Sequence, residues 1–427
     1  MYLTYVVYAL CILLLIWGGK FAGFKKNSFH ENSLSLEVMK SLRGFAAIGV
    51  ILHHISQEEV FQNANIAKGI NAPGELGIFV NAGYLFVSIF FFATGFGLIK
   101  SLDSKPDYLK GFMKKRVLKV LIIPYYVNVL LFAIYHLIAR HQMPLAHWIT
   151  NLTGLTLMND FGWYPIVAAL LYTAFYIFYK NIKNQKICFC LMALVIILMG
   201  LFACVNGHFA WWAGPKNWWL SGMQKAAWWK QQQILWFHGE WWVNSAPAML
   251  AGMIFARYEE KIRQWFNKLY WLKLLVAIVL MLLFTDLSNY GQKRFGYWTE
   301  WNGNGPDILN KVITYCLQIP QAVMFTILLF TIMLKYYAAN PVSRFFGNIS
   351  LETYMMNLIA IESFRFLIYK INKYSMRPLY KPGNYNLAIY LVCVFAATII
   401  LALIYKYINK GILKLMEKKP AGQETAK

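Results

Sequence analysis

The sequence predicts an all-α, polytopic membrane helical bundle of about 11 transmembrane helices, and three observations carry that reading. Hydrophobic residues make up 59% of the 427 and charged residues only 14%, where a soluble domain has about a quarter charged. The mean hydropathy is +0.45, and no soluble core of this size needs so much apolar side chain. The apolar residues also gather into runs that approach the about 20 residues a spanning helix needs.

The chain opens with "MYLTYVVYALCILLLIWGGK". This stretch lacks the basic n-region and the small-residue cleavage site of a signal peptide, so it is expected to be a retained helix over 2–19. Ten further spans are expected near 42–57, 77–99, 117–138, 163–180, 187–205, 234–256, 274–290, 309–334, 347–369 and 387–408. The expected organisation is an extra helix at 1–20, a membrane domain at 34–410 and a tail at 411–427. The net charge of +23 does not point to nucleic acid, because the basic residues sit in short loops between apolar runs. One set of loops carries 28 Lys and Arg and the opposite set 11, which places the first set in the cytoplasm of a plasma or inner membrane. The N-terminus is then expected outside and the C-terminus inside. The six cysteines lie within apolar runs without metal-ligand spacing, so no metal is expected.

Titratable groups within such spans are costly and so are candidates for function. "SLRGFAAIGVILHHIS" carries Arg43 at one end and His53 and His54 at the other. Arg43 and His54 are eleven positions apart, about 20° from alignment on one helix face and roughly 16 Å along the axis. His53 falls about 80° away from that face. Histidine accepts a proton near neutral pH, so His54 is the candidate base, with Arg43 at the mouth of the same wall; a polar cap and a satisfied interhelical histidine is the plainer reading. "YLKGFMKKRVLKVLIIPYY" crowds Lys114, Lys115, Arg116 and Lys119 at a helix end. That density is a topology signal by default, and it also suits a polyphosphate or nucleotide. "FFFATGFGLIK" offers Thr94 and Gly95, small residues that admit a second backbone or a thin acyl chain. Nine of the sixteen tryptophans fall between His208 and Trp242. They fit an interfacial belt; the doublets Trp218, Trp219 and Trp228, Trp229 also fit a stacking platform for sugar rings.

Taken in order, these motifs resemble the membrane acyltransferase-3 family. The arginine-glycine start and the histidine after ten intervening residues match its signature helix. Phe90 to Ile99 is similar to its aromatic, small-residue helix, with Thr94 where serine is usual. "FMKKRVLKVLIIP" resembles its basic segment, with Lys119 in place of an arginine, and "WYPIVAALLYTAFY" and "APAMLAGMIFARYEEK" resemble later helices. "FFGNISLETYMMNL" resembles its last motif, with Asn357 where histidine is frequent and Glu352 where a small residue is usual. The resemblance spans about 42 to 408 and leaves the first helix as an addition, expected at the rim or in a homodimer contact. It implies transfer of an acyl group, commonly acetyl, from cytoplasmic acetyl-CoA or another acyl-CoA to a hydroxyl of an extracytoplasmic saccharide. Arg116, Lys119 and Lys115 would hold the anionic donor, Thr94 and Gly95 would flank its arm, and His54 would be the general base. The rival reading is a transporter whose relay uses Glu240, Asp286, Lys311, Glu352, Glu362 and Arg365.

Overall fold

The computed structural model describes residues 2–25, 28–62, 76–140, 145–154, 157–159, 161–206, 244–295, 308–372, 375–378 and 386–417. Its helices are α1 (Tyr2–Ile16), α2 (Leu36–Gln62), α3 (Gly77–Ser104), a π-helical segment (Met113–Ile122) that runs into α4 (Ile123–Ile138), α5 (Leu145–Leu152), α6 (Tyr164–Asn181) and α7 (Gln185–Asn206). Then follow α8 (Pro247–Arg257), α9 (Glu259–Asn267), α10 (Tyr270–Arg294), α11 (Ile308–Met333), α12 (Pro341–Asn348), α13 (Ser350–Ser363) and α14 (Asn386–Glu417). Among the described residues, five helices are long and apolar enough to cross a membrane: Ala82–Ser104, Met113–Ile138, Tyr270–Arg294, Val312–Met333 and Asn386–Glu417.

Two small antiparallel ladders depart from the all-helical expectation. Strands β1 (Gly19–Phe21) and β2 (Tyr336–Ala338) pair, as do β3 (Tyr369–Asn372) and β4 (Ser375–Pro378). Two expected spans are also built differently. The run at 117–138 begins as a π-helix at Met113, with the Ile123 N–H bonded to the Leu118 carbonyl five residues back. The run at 347–369 breaks at Ile349, whose φ of −125° separates α12 from α13.

Helix α2 lies at the centre, against α3, α12 and α13. Glycines set how closely its neighbours approach. A Cβ on Gly44 would strike the Ser343 carbonyl oxygen of α12, and one on Gly347 would strike the Lys40 carbonyl of α2. The same reciprocity joins α3 to α8: Gly95 faces the Met249 carbonyl and Gly252 faces the Phe92 carbonyl. Small residues at both crossings bring backbones into contact, which is how helices associate where no hydrophobic drive exists between them. The main core then fills with large side chains such as Phe91, Phe92, Phe132, Phe175 and Phe330.

Outside this core the helices turn apolar faces outward. Leu275, Leu282 and Leu283 of α10 and Val392 and Ile400 of α14 are all exposed. A surface of that composition is solvated by lipid, not water.

Helix α1, expected at the rim, is tied in by polar contacts at its C-terminal end. Asn340 Nδ2 donates to the Leu14 carbonyl at 2.8 Å and the Tyr336 hydroxyl to the Leu15 carbonyl at 2.6 Å. Just beyond, Lys335 is only 2% exposed. Its Nζ donates to the carbonyls of Gly23 at 3.1 Å, Lys25 at 2.8 Å and Ser28 at 3.2 Å. The rings of Phe29 and Tyr270 lie 5.3 Å from the same nitrogen. A buried ammonium is tolerated only when it is satisfied in this way.

Candidate active site

Two clusters of polar groups lie on opposite halves of α2. The first is a cavity of about 790 Å³ beside the end of α2 that carries Arg43, where the basic residues are concentrated. Arg43 from α2, Thr94, Gly97 and Lys100 from α3, Arg116 from the π-helical segment and Tyr172 from α6 all line it. Three of the residues singled out in the sequence, Arg43, Thr94 and Arg116, therefore meet although 73 positions separate the first from the last. Arg116 is half-buried with its guanidinium carbon 5.7 Å from the Tyr108 ring. Arg43 is half-buried as well, and its Nε is buried with no hydrogen-bond partner among the described residues. Glu31 and Glu259 also face the cavity, and Glu259 pairs with Lys100 at 2.5 Å. With Lys105 on the same wall the lining carries four cations against two carboxylates. The size falls within the roughly 300–1,000 Å³ of small-molecule sites, and a buried guanidinium N–H without an acceptor suits an anionic ligand.

The other candidates lie elsewhere. Gly95 faces α8 and does not line this cavity; Gly97, whose Cβ position is open, lies on it instead. Lys119 is turned to Glu417 at the end of α14, 2.5 Å away. Lys115 is exposed and is not part of the lining. Trp218, Trp219, Trp228 and Trp229 fall outside the described residues, as does Glu240.

The second cluster surrounds His54, which does not line the cavity. The imidazole is 7% exposed. Its Nδ1 lies 3.2 Å from Asn357 Oδ1 on α13. Because an amide oxygen only accepts, Nδ1 carries the proton, and the lone pair is left on Nε2. Phe161 stacks on the ring at 3.9 Å with an interplanar angle of 19°, and Tyr354 lies 6.4 Å away. Asn159 prepares this arrangement, since its Oδ1 accepts the Phe161 N–H at 3.0 Å while its Nδ2 donates to the Met355 carbonyl at 2.9 Å.

His53 points to a different neighbour. Its Nδ1 donates to the Phe79 carbonyl at 2.8 Å, and its ring occupies the space that a Cβ on Gly83 would need. The two adjacent imidazoles thus face different helices, as a 100° step requires.

Aromatic residues connect the clusters. Thr94 Oγ1 is 3.1 Å from the Tyr164 hydroxyl, the Tyr164 ring is 6.0 Å from that of Tyr354, and Tyr354 neighbours His54. Sequence reasoning singled out neither Tyr354 nor Asn357 for the site; the one available signal was their place in the "SLETYMMNL" motif.

The sequence model of the acyltransferase-3 family, described as an acyltransferase domain, matches residues 38–407. The chain belongs to the acyltransferase-3 family. The matched stretch runs from α2 to α14 and contains both clusters. No curated protein and no solved structure gives a significant match. Membership, together with the apolar helices, makes this chain a membrane acyltransferase. A transporter without covalent chemistry is not what an acyltransferase-3 protein is.

Proposed function

We propose that this acyltransferase takes an acyl group, acetyl in the simplest case, from cytoplasmic acyl-CoA and places it on a hydroxyl of an extracytoplasmic glycan. The observation that carries the reading is the placement of Arg43 and His54 on one helix. The first lines a cation-rich cavity and the second sits with a free lone pair about 16 Å further along. Arg116 and Arg43 would bind the phosphates of the donor as charge-assisted partners. The thin arm of the donor would extend past Thr94 and through the Tyr164–Tyr354 layer to bring the thioester to His54. There Nε2 would take the proton of the attacking hydroxyl, a general-base role. The acceptor would approach from the other face, and the indoles of the tryptophan-rich segment would offer sugar rings a surface to stack on.

The test uses the full chain in vesicles with radiolabelled acetyl-CoA and a crude envelope glycan extract. Alkali-labile label on the glycan is expected. His54→Ala at matched membrane level should lose about 10²–10⁴-fold in rate, whereas His53→Ala should lower thermal stability more than rate. No label from the wild-type protein, or full transfer by His54→Ala, would overturn the proposal.

A further inference from the structure

One cation of the cavity is already taken. Lys100 Nζ of α3 pairs with Glu259 Oε2 at 2.5 Å, and both residues belong to the lining. The same nitrogen lies 5.6 Å from the ring of Phe96, which lines the cavity too. The second oxygen of Glu259 has a partner outside the lining, because Oε1 accepts from Arg263 Nε at 3.2 Å. Arg263 in turn donates to the carbonyls of His30 at 3.1 Å and Glu31 at 3.2 Å and to Ser33 Oγ at 2.7 Å. The first turn of α9 is therefore anchored without Lys100.

Nor is the pair needed to brace α3. The glycine crossing already holds α3 to α8, and Asp103 pairs with Arg257 at 2.8 Å, outside the cavity lining. The side chain of Lys100 is 45% exposed and that of Glu259 22%, and ion pairs so open to solvent are weak. A weak carboxylate contact inside a cavity rich in cations can be exchanged for a stronger anion.

From this geometry we infer that Glu259 is a resident counter-ion on an anion seat. It holds the place on Lys100 that the ribose phosphate monoester of the donor takes on binding, and so keeps donor affinity below what the cations alone would give. The inference rests on the donor cavity proposed above. Charge selects the monoester, which carries about −1.5 to −2 at pH 7, whereas a carboxylate and each ester-linked phosphate of the pyrophosphate carry a single negative charge. Position agrees with charge. Lys100 stands six residues beyond Thr94 on α3, about 9 Å, on the side away from the proposed thioester path and hence at the nucleotide end. On exchange Glu259 keeps Arg263 and Lys100 gains the phosphate, so neither ion is left unpaired in the cavity wall.

The experiment measures binding of CoA itself to the purified full chain in detergent by titration calorimetry, so that no transfer is required. Glu259→Gln keeps an oxygen for Arg263 and removes the charge from Lys100. It is expected to lower the Kd for CoA about three- to fivefold, equivalent to ~0.6–1 kcal/mol. The Kd for 3′-dephospho-CoA, which lacks the monoester, should stay within about twofold of wild type. Lys100→Met should weaken CoA binding, and Glu259→Gln added to it should bring no gain, because the seat is gone. If Glu259→Gln does not accumulate, Glu259→Ala takes its place with the same expectations. Unchanged or weaker CoA binding in the Glu259 variant overturns the inference and makes the pair a brace. An equal gain for 3′-dephospho-CoA, or a gain on the Lys100→Met background, overturns it in favour of the summed charge of the cavity. In these cases the donor cavity stands; a wild-type protein that binds no CoA overturns the cavity reading and this inference together.

Discussion

At the scale of the residue, neighbouring cations on one turn have separate surroundings. Arg116 reaches the cavity, while Lys119 is held by Glu417 in a largely exposed pair, and such pairs contribute at most about 1 kcal/mol. A charge-assisted contact with a bound anion is worth about 1.5–3 kcal/mol. Arg116→Ala is accordingly expected to raise the KM for acyl-CoA about tenfold or more, and Lys119→Ala to leave it within about twofold. Acyl-CoA saturation curves check both, and equal effects would show that the segment acts through its summed charge. Some of this was legible in advance. The alignment of Arg43 with His54 follows from helical periodicity within one segment. The separation of Arg116 from Lys119 was not legible, because the partner of Lys119 lies 298 positions away. Asn357 was hidden for a similar reason, since the related motif carries histidine there and a sequence cannot show that the amide touches His54 303 positions earlier.

Elements are set against each other by glycine. Gly95 and Gly97 are two residues apart on α3 but face different surroundings, the Met249 carbonyl for one and open space on the cavity for the other. Gly95→Leu should therefore overpack the crossing with α8 at a cost of about 1–3 kcal/mol, seen as a lower melting temperature in detergent. Gly97→Leu should melt near wild type and raise the KM for acyl-CoA by narrowing the cavity. Loss of stability in both variants would contradict this division. From sequence, the cluster of small residues around Thr94 fitted both uses, close packing and an acyl path, and only the register of α3 against α8 assigns each residue to one. The π-helical stretch was equally illegible. Its pattern of Lys and Val does not distinguish bonds to the fifth residue from bonds to the fourth, and such segments occur frequently at functional sites.

For the whole molecule, charge and apolarity are arranged along one axis. The cavity opens where Lys100, Lys105 and Arg116 gather, and the outward faces of α10 and α14 are apolar. The positive-inside bias then predicts which loops a membrane-impermeant thiol reagent reaches. In intact cells a cysteine placed at Lys105 or Lys410 should be protected, and it should react once the membrane is opened. Labelling of either site in intact cells would reverse the orientation and, with it, the side from which the donor arrives. Composition and loop charge were enough to predict a membrane bundle. They could not predict that α1 is held by a ladder and a buried lysine, because those contacts join the first 30 residues to a segment beyond residue 330.

That long reach has a consequence for the time course of synthesis. Gly19 pairs with Ala338, Ser343 bonds Ser41, and His54 meets Asn357, so the early helices find their partners only near the end of translation. At about 5–20 residues per second, some 300 residues correspond to an interval of roughly 15–60 s. Throughout it α2 waits in the membrane with Arg43, His54 and the Gly44 face uncovered, although α3 already covers His53. The insertion machinery, or a chaperone in the bilayer, must shelter one polar helix until the last quarter of the chain arrives to cover it.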